Sequence, residues 1–263
     1  MTAQSIILER DKRGVASVIL NRPDKHNAFD EHTIAELTEI FDSLSNDPSL
    51  RLMVLKSNGK NFSAGGDLDW MKRMADYERD DNIRDANVLA EMLHKLNYLP
   101  FPTIARVQGA AMGGGAGLVC CCDIAFASTK SSFAFSEVKL GLLPATISPY
   151  VIQSIGAQSA RRYFLSAERF SAERALQLGM ISEISDEAEL DAKIEELITT
   201  ILTNSSEAVR AAKQLIDDID KSFVTKEIMQ MTSEAIADIR ASEEGKEGLA
   251  AFLEKRKPSW IKD

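Results

Sequence analysis

Pro102-Thr103-Ile104-Ala105-Arg106-Val107-Gln108-Gly109-Ala110-Ala111-Met112-Gly113-Gly114-Gly115-Ala116-Gly117-Leu118 carries the architecture of this chain. Pro102 to Val107 reads as a strand and Gly109 to Gly115 as a glycine-rich turn. The apolar residues beyond form a helical turn that leads to another strand over Asp123 to Ala127. The same plan stands upstream. Leu50 to Leu55 reads as a buried strand, and a polar loop from Ser57 to Asn61 leads into Phe62-Ser63-Ala64-Gly65-Gly66-Asp67-Leu68. A helix-compatible stretch then runs, with interruptions, to Leu99. Strand, glycine turn and helix thus occur twice without a fixed-period repeat, which predicts an α/β core of stacked turns.

Toward the N-terminus, Ser5 to Leu8 and Val15 to Asn21 flank Asp11-Lys12-Arg13-Gly14, whose glycine suits the positive φ of a hairpin turn. Ile34, Leu37, Phe41 and Leu44 recur at helical spacing behind Asp30, a candidate N-cap. From about Ile147 onward strands almost vanish. Helical periodicity takes over there, with Ser171, Ser185 and Ser205 as caps and Gly179 as a terminator.

The chain has 263 residues, which suits one domain with a helical appendage. Hydrophobic residues at 44% and charged residues at 27% are globular proportions, excluding a disordered chain and a disulfide scaffold. With 31 Lys and Arg against 40 Asp and Glu the formal net charge is -9. The overall field therefore repels nucleic acid, and a phosphate-bearing ligand must meet a local basic patch. Cys120, Cys121 and Cys122 are adjacent in an apolar run, so they have neither metal-ligand nor disulfide spacing and read as buried thiols. The N-terminus lacks the apolar core of a signal peptide and no segment is apolar enough to span a bilayer. A cytoplasmic protein with no membrane or nucleic-acid partner is expected.

Glycine turns at helix starts expose unpaired N–H groups that suit a phosphate or an oxyanion. Gly113-Gly114-Gly115-Ala116-Gly117 lacks the Lys-Ser/Thr of a phosphate loop and the spacing of a dinucleotide fingerprint. Two such turns in one core supply the converging donors that a thioester enolate needs. The motifs Asn21-Arg22-Pro23-Asp24-Lys25-His26-Asn27-Ala28, Phe62 to Leu68 and Gly109 to Gly115 resemble, in order, signatures of the enoyl-CoA hydratase/isomerase (crotonase) family. Ser136-Glu137-Val138-Lys139-Leu140-Gly141-Leu142-Leu143-Pro144 and Gly248-Leu249-Ala250-Ala251-Phe252-Leu253-Glu254-Lys255-Arg256 continue the resemblance over nearly the whole chain.

The resemblance implies a crotonase-like α/β spiral of stacked β-β-α turns over residues 1–200 and a C-terminal helical trimerisation region over 201–263. It implies an acyl-CoA thioester as substrate, with coenzyme A as part of that substrate, no separate cofactor and no metal. Backbone N–H groups of Gly66 and Gly114 correspond to the oxyanion hole and Glu137 to the catalytic carboxylate. Lys25, Asn27 and Ala28 fall in the coenzyme A site, with Ala64 near the adenine. Phe252 and Lys255 correspond to a pair that reaches the nucleotide from a neighbouring subunit, so a homotrimer or dimer of trimers is expected. Asp67, Leu68, Trp70 and Met71 follow the first oxyanion turn, where the acyl pocket should lie.

Hydratases of the family carry a first glutamate where this chain has Gly117. One carboxylate between enolate-stabilising amides suffices for proton transfer beside the thioester carbonyl. Isomerases of the family commonly work with one glutamate at the place of Glu137, so delta-isomerisation is a rival to hydration, and a silent acyl-CoA binder is a third reading. The motifs around Gly117, Glu137 and Trp70 are similar to bacterial methylglutaconyl-CoA and isohexenylglutaconyl-CoA hydratases, which act in leucine and acyclic-terpene breakdown. That similarity implies a second carboxylate on the acyl chain, with Lys72, Arg73 or Lys139 as its partner. His26, His32 and His94 show no triad or ligand spacing and read as structural or surface residues.

Overall fold

The computed structural model describes residues 4–74, 76–220 and 224–261. Two compact units divide it: Met1–Leu99 with Thr103–Ile194, and Pro100–Pro102 with Glu195–Asp263.

The first unit is built on two sheets. Strands β1 (Ile6–Arg10) and β2 (Val15–Leu20) form the expected hairpin, antiparallel and in register from Ile6 opposite Leu20 to Arg10 opposite Ala16, with Gly14 at φ +84°. β3 (Leu52–Ser57), β4 (Thr103–Val107), β6 (Ile124–Ser128) and β9 (Glu183–Ser185) extend that sheet in parallel, in the order β1-β2-β3-β4-β6-β9. Leu52, Met53, Val54 and Leu55 are all buried, as consecutive residues of a parallel strand covered on both faces must be. A smaller sheet has the order β5 (Ala110–Met112), β7 (Ser132–Ala134), β8 (Phe170–Ser171).

Helices cover the sheets. In α1 (Glu31–Ser45), Asp30 caps the N-terminus by accepting from Thr33 N–H, and Ile34, Leu37, Phe41 and Leu44 face inward. The stretch expected to run to Leu99 is two helices, α2 (Leu68–Met74) and α3 (Arg79–Asn97). They are followed by α4 (Gly114–Cys120), α5 (Ser148–Ser166) and α6 (Ala172–Leu178). Ser171 caps α6 and Gly179, at φ +80°, ends it. Ser185 is not a cap: it ends β9, and its hydroxyl is buried without a partner among the described residues.

The division of the chain falls within α7 (Glu187–Leu202). The second unit continues with α8 (Ser206–Ile219), α9 (Lys226–Ala241) and α10 (Glu243–Glu254), capped in turn by the side chains of Ser205, Thr225 and Ser242. Within this unit Trp260 Nε1 donates to Thr203 O at 3.0 Å and Arg256 makes a two-pronged pair with Glu247 at 2.6 and 2.8 Å. No residue of α8 or α9 is buried. Ile216, Met229, Ile236, Leu249, Phe252 and Leu253 are exposed.

Candidate active site

The two glycine turns run side by side. Phe62 N–H donates to Gln108 O (2.8 Å), Ser63 N–H to Ala110 O (3.1 Å) and Met112 N–H to Ser63 O (2.9 Å), so Asn61 to Gly66 tracks Gly109 to Gly114. The buried Phe29 pins the first turn: its N–H donates to Gly65 O, and its carbonyl accepts from Asp67 N–H, both at 2.9 Å. The N–H groups of Gly66 and Gly114 are left without a partner among the described residues. The turns abut, since a Cβ on Gly65 would lie 2.8 Å from Met112 O and 3.7 Å from Gly114 N. Any side chain at Gly114 would collide with the Phe29 ring. Two neighbouring free donors fit an oxygen on which charge develops.

Glu137 opens a 3-10 turn, Glu137–Leu140, that follows β7 and ends at Gly141, φ +72°. Its carboxyl stands over Gly113, where a Cβ would be 3.1 Å from Oε1. Gly113 itself has φ +52°, so both the backbone and the carboxyl demand glycine there. Oε2 is buried and has no hydrogen-bond partner among the described residues. Burial pushes this carboxyl above the ordinary glutamate value, and a bond with its own backbone only partly offsets that. A group of this kind is poised for proton transfer beside the Gly114 donor.

Gly117 lies one turn into α4 and is sealed by Ile147. A Cβ there would overlap Ile147 Cγ2, so the space a side chain at 117 would need is filled with hydrocarbon. Trp70 and Met71 lie against Gly66, 3.6 and 3.8 Å from where its Cβ would be. Trp70 is buried, and its Nε1 donates to Asp85 at 3.1 Å; burial raises the Asp85 carboxyl, and this bond lowers it in part. Leu68, 72% exposed, points away from the buried side of that turn.

The coenzyme A candidates have jobs inside the fold. Asn27, buried at φ +53°, accepts from Arg22 N–H and donates to Asn58 O and Asn61 O, each at 2.8 Å. Its side-chain amide is thereby engaged within the turn. Ala28 is buried too. Ala64 is exposed, its N–H held by His26 O at 2.9 Å. Asp67, with its side chain 5% exposed, receives both Arg22 Nη2 and Lys25 Nζ at 3.0 Å, and Lys25 also meets Asp69 at 3.5 Å. Burial alone would raise the Asp67 carboxyl, but Lys25 and the N–H groups of Asp69 and Trp70 outweigh it and hold it below the usual range. Lys25, its side chain 43% exposed, thus stands in an ion pair at the edge of this turn.

Among the cations named for a distal carboxylate, Arg73 grips Glu31 with two bonds of 2.6 and 2.7 Å and Lys72 pairs with Asp69 at 3.3 Å. Lys139 is exposed and has no ion pair among the described residues. Phe252 and Lys255 belong to the second unit, Phe252 80% exposed and Lys255 closing α10 at φ +56°. Cys121 is buried, and burial holds the thiols of Cys120, at about 12, and Cys121 far above the reactive range. Among the described residues no group of three or more His, Cys, Asp or Glu side chains could hold a metal ion. Sequence reading missed Phe29, Arg22 and Ile147 as shapers of the site, because their roles rest on contacts 30 to 85 positions away along the chain, from Ile147 against Gly117 to Phe29 against Gly114, and only the Arg-Pro pair left a local sign.

A profile described as enoyl-CoA hydratase/isomerase matches residues 10–263. The chain is 31% identical to a short-chain-enoyl-CoA hydratase of Clostridium acetobutylicum, over 100% of each chain. It is 28% identical to a trans-2-decenoyl-[acyl-carrier-protein] isomerase of Streptococcus mutans, over 97% of each. The crystal structure of an enoyl-CoA hydratase from Shewanella pealeana superposes with a TM-score of 0.94 at 46% identity, covering 98% of this chain and 97% of that one.

Proposed function

The chain belongs to the enoyl-CoA hydratase/isomerase family, and from that premise we propose that it adds water across the 2,3 double bond of an enoyl-CoA with one carboxylate, Glu137. The observation that carries this reading is the buried, unpartnered Oε2 of Glu137 beside the free N–H groups of Gly66 and Gly114. The thioester oxygen accepts from both N–H groups. Glu137 takes a proton from water as the water oxygen bonds to C3, the enolate charge falls on the thioester oxygen, and the carboxylic acid returns its proton to C2 on the same face.

Isomerisation is the second reading, favoured by one feature. The hydrocarbon of Ile147 fills the space beside Gly117, so no second carboxylate holds the water. Glu137 would then remove a proton from one carbon of the enoyl chain and return it to another.

The acyl group is read as branched or dicarboxylic, 3-methylglutaconyl-CoA being one example, and Lys139 is the cation left for a distal carboxylate. Coenzyme A enters as part of the substrate, with no further cofactor or metal. Self-association into a homotrimer or dimer of trimers is supported by the apolar residues left exposed on the second unit, and a cytoplasmic location is part of the same reading. No helix among the described residues is long and apolar enough to cross a membrane.

Steady-state assays with crotonyl-CoA, 3-methylglutaconyl-CoA and a 3-enoyl-CoA test this. Hydration is the expected result, lost in Glu137→Gln. Double-bond migration without hydration would replace this reading by the second, and binding without turnover would replace both by a silent acyl-CoA binder.

A further inference from the structure

We propose that Asp85 is a positioning residue: its carboxylate holds the indole of Trp70 against Gly66 and so keeps the Gly66 N–H donor in place. The proposal rests on the reading of Gly66 as one of two donors to a thioester oxygen. Trp70 follows Gly66 closely in the chain, on α2, and Asp85 stands on α3. Among the described residues, the bond from Trp70 Nε1 to Asp85 Oδ1, 3.1 Å long, is the one side-chain hydrogen bond that joins these two helices.

Gly66 is fixed from two directions. Its neighbours Gly65 and Asp67 bond to the main chain of Phe29, each at 2.9 Å. On the face where a Cβ would project, Cε3 and Cζ3 of the Trp70 ring lie 3.6 Å from the Cβ position, with Met71 Cγ beside them at 3.8 Å. Glycine brings no side chain of its own, so the placement of these neighbours alone covers that face.

The ring needs a hold beyond that contact. Trp70 is the one residue that α2 buries, and α3 buries none before Met92. Packing within these segments gives the indole few fixed neighbours, and a bond at its N–H edge restrains what contact leaves free. A buried indole N–H needs an acceptor, and an ionised carboxylate makes a shorter and stronger bond than a neutral oxygen. Asp85 has no ion pair among the described residues, and the indole is its one side-chain hydrogen-bond partner there. Glu31, whose charge acts on it, is itself acidic and is gripped by Arg73. A donor that stabilises charge on an oxygen must be in place before that charge develops. Freed from Asp85, the indole can turn off Gly66 and the turn can relax into the space, a loss that falls on kcat more than on KM.

The test measures kcat and KM for crotonyl-CoA, or for the 3-enoyl-CoA if migration is the parent's reaction. The variants are Asp85→Leu, Asp85→Asn, Trp70→Phe and Trp70→Phe/Asp85→Leu, each checked by its melting curve, with Asp85→Ala replacing Asp85→Leu if the latter does not fold. Asp85→Leu should lower kcat about tenfold with KM held to within about threefold. Asp85→Asn keeps an acceptor oxygen and should stay within about threefold of the parent in both. The double variant should be no slower than Trp70→Phe alone, because phenylalanine has no N–H for Asp85 to hold. Trp70 emission, isolated by Trp260→Phe, should shift to longer wavelength in Asp85→Leu and become more open to acrylamide quenching. Unchanged kcat in Asp85→Leu, equal losses in Asp85→Asn, or losses that multiply in the double variant would each overturn the proposal. If the parent turns over neither ester, the acyl-CoA reading fails by itself, and the emission then decides whether Asp85 holds the indole, an unmoved spectrum overturning it.

Discussion

At the scale of single residues, Glu137 sets two measurable properties. A carboxyl raised by burial must lose its proton before it can act as a base, so kcat/KM for hydration should climb with pH through a midpoint above 4.5, the ordinary value of a glutamate. An acid limb at or below that value would mean the carboxyl is solvated. The same burial carries a stability cost. A group whose folded pKa is raised contributes stability below its unfolded pKa and loses it as pH rises through the folded one. Glu137→Gln, which cannot ionise, should therefore abolish turnover and melt about 2–4 °C higher than the parent at pH 8, with the gap closing toward pH 4. A variant that melts lower at pH 8 would show that the carboxylate is held by a partner. The carboxylate's motif was legible in the sequence, but the loneliness of Oε2 was not, because it depends on what segments distant in the chain fail to offer it.

At the scale of elements, the site depends on two tight joints. One is the Asp67 carboxylate, which ties the 20s turn to the start of α2 through Arg22 and Lys25. Removing this carboxylate leaves Arg22 with Asp30, 3.0 Å away, and takes from Lys25 its closest ion-pair partner, so Asp67→Asn should cost about 2 kcal/mol at pH 7 by denaturant titration. Because the Asp67 carboxyl is held low, its stabilisation is present above its unfolded pKa and is lost as pH falls through the folded value, so the penalty should shrink only in strong acid. A penalty independent of pH would point to lost packing. The other joint is Gly117 against Ile147, where α4 meets the start of α5. Gly117→Ala should cost about 1–3 kcal/mol by overpacking. Ile147→Ala alone should cost about 2–5 kcal/mol through the cavity it leaves. The double variant should lose at least about 1 kcal/mol less than the two losses combined, because the new methyl enters the vacated space. Simple additivity would mean that the two side chains do not compete.

Helices and caps were readable in advance where a local rule governed them: Asp30, Ser171 and Ser205 cap through bonds that span three residues, and Gly179 ends α6 with a positive φ. β5, β7, β8 and β9 went unread as strands. Each has two or three residues, too few for an alternating pattern, and each exists because a neighbouring segment supplies its hydrogen bonds.

At the scale of the whole molecule, the exposed apolar residues of the second unit call for a cover. Phe252 and Leu253 stand about four-fifths in solvent on α10, and α8 and α9 bury none of their residues. Apolar area of this kind is removed from water most simply by a second copy of the same surface or a neighbouring patch, in a closed ring. The chain should therefore run at three or six times its single-chain mass in light scattering behind a sizing column. Phe252→Asp/Leu253→Asp should lower that mass toward a single chain and raise the KM for crotonyl-CoA, since Phe252 and Lys255 are expected to reach a neighbour's nucleotide. A lower mass with an unchanged KM would keep the assembly and remove Phe252 from the substrate site. A parent protein that runs as a monomer at micromolar concentration would leave the apolar face without its expected partner and overturn the trimeric reading.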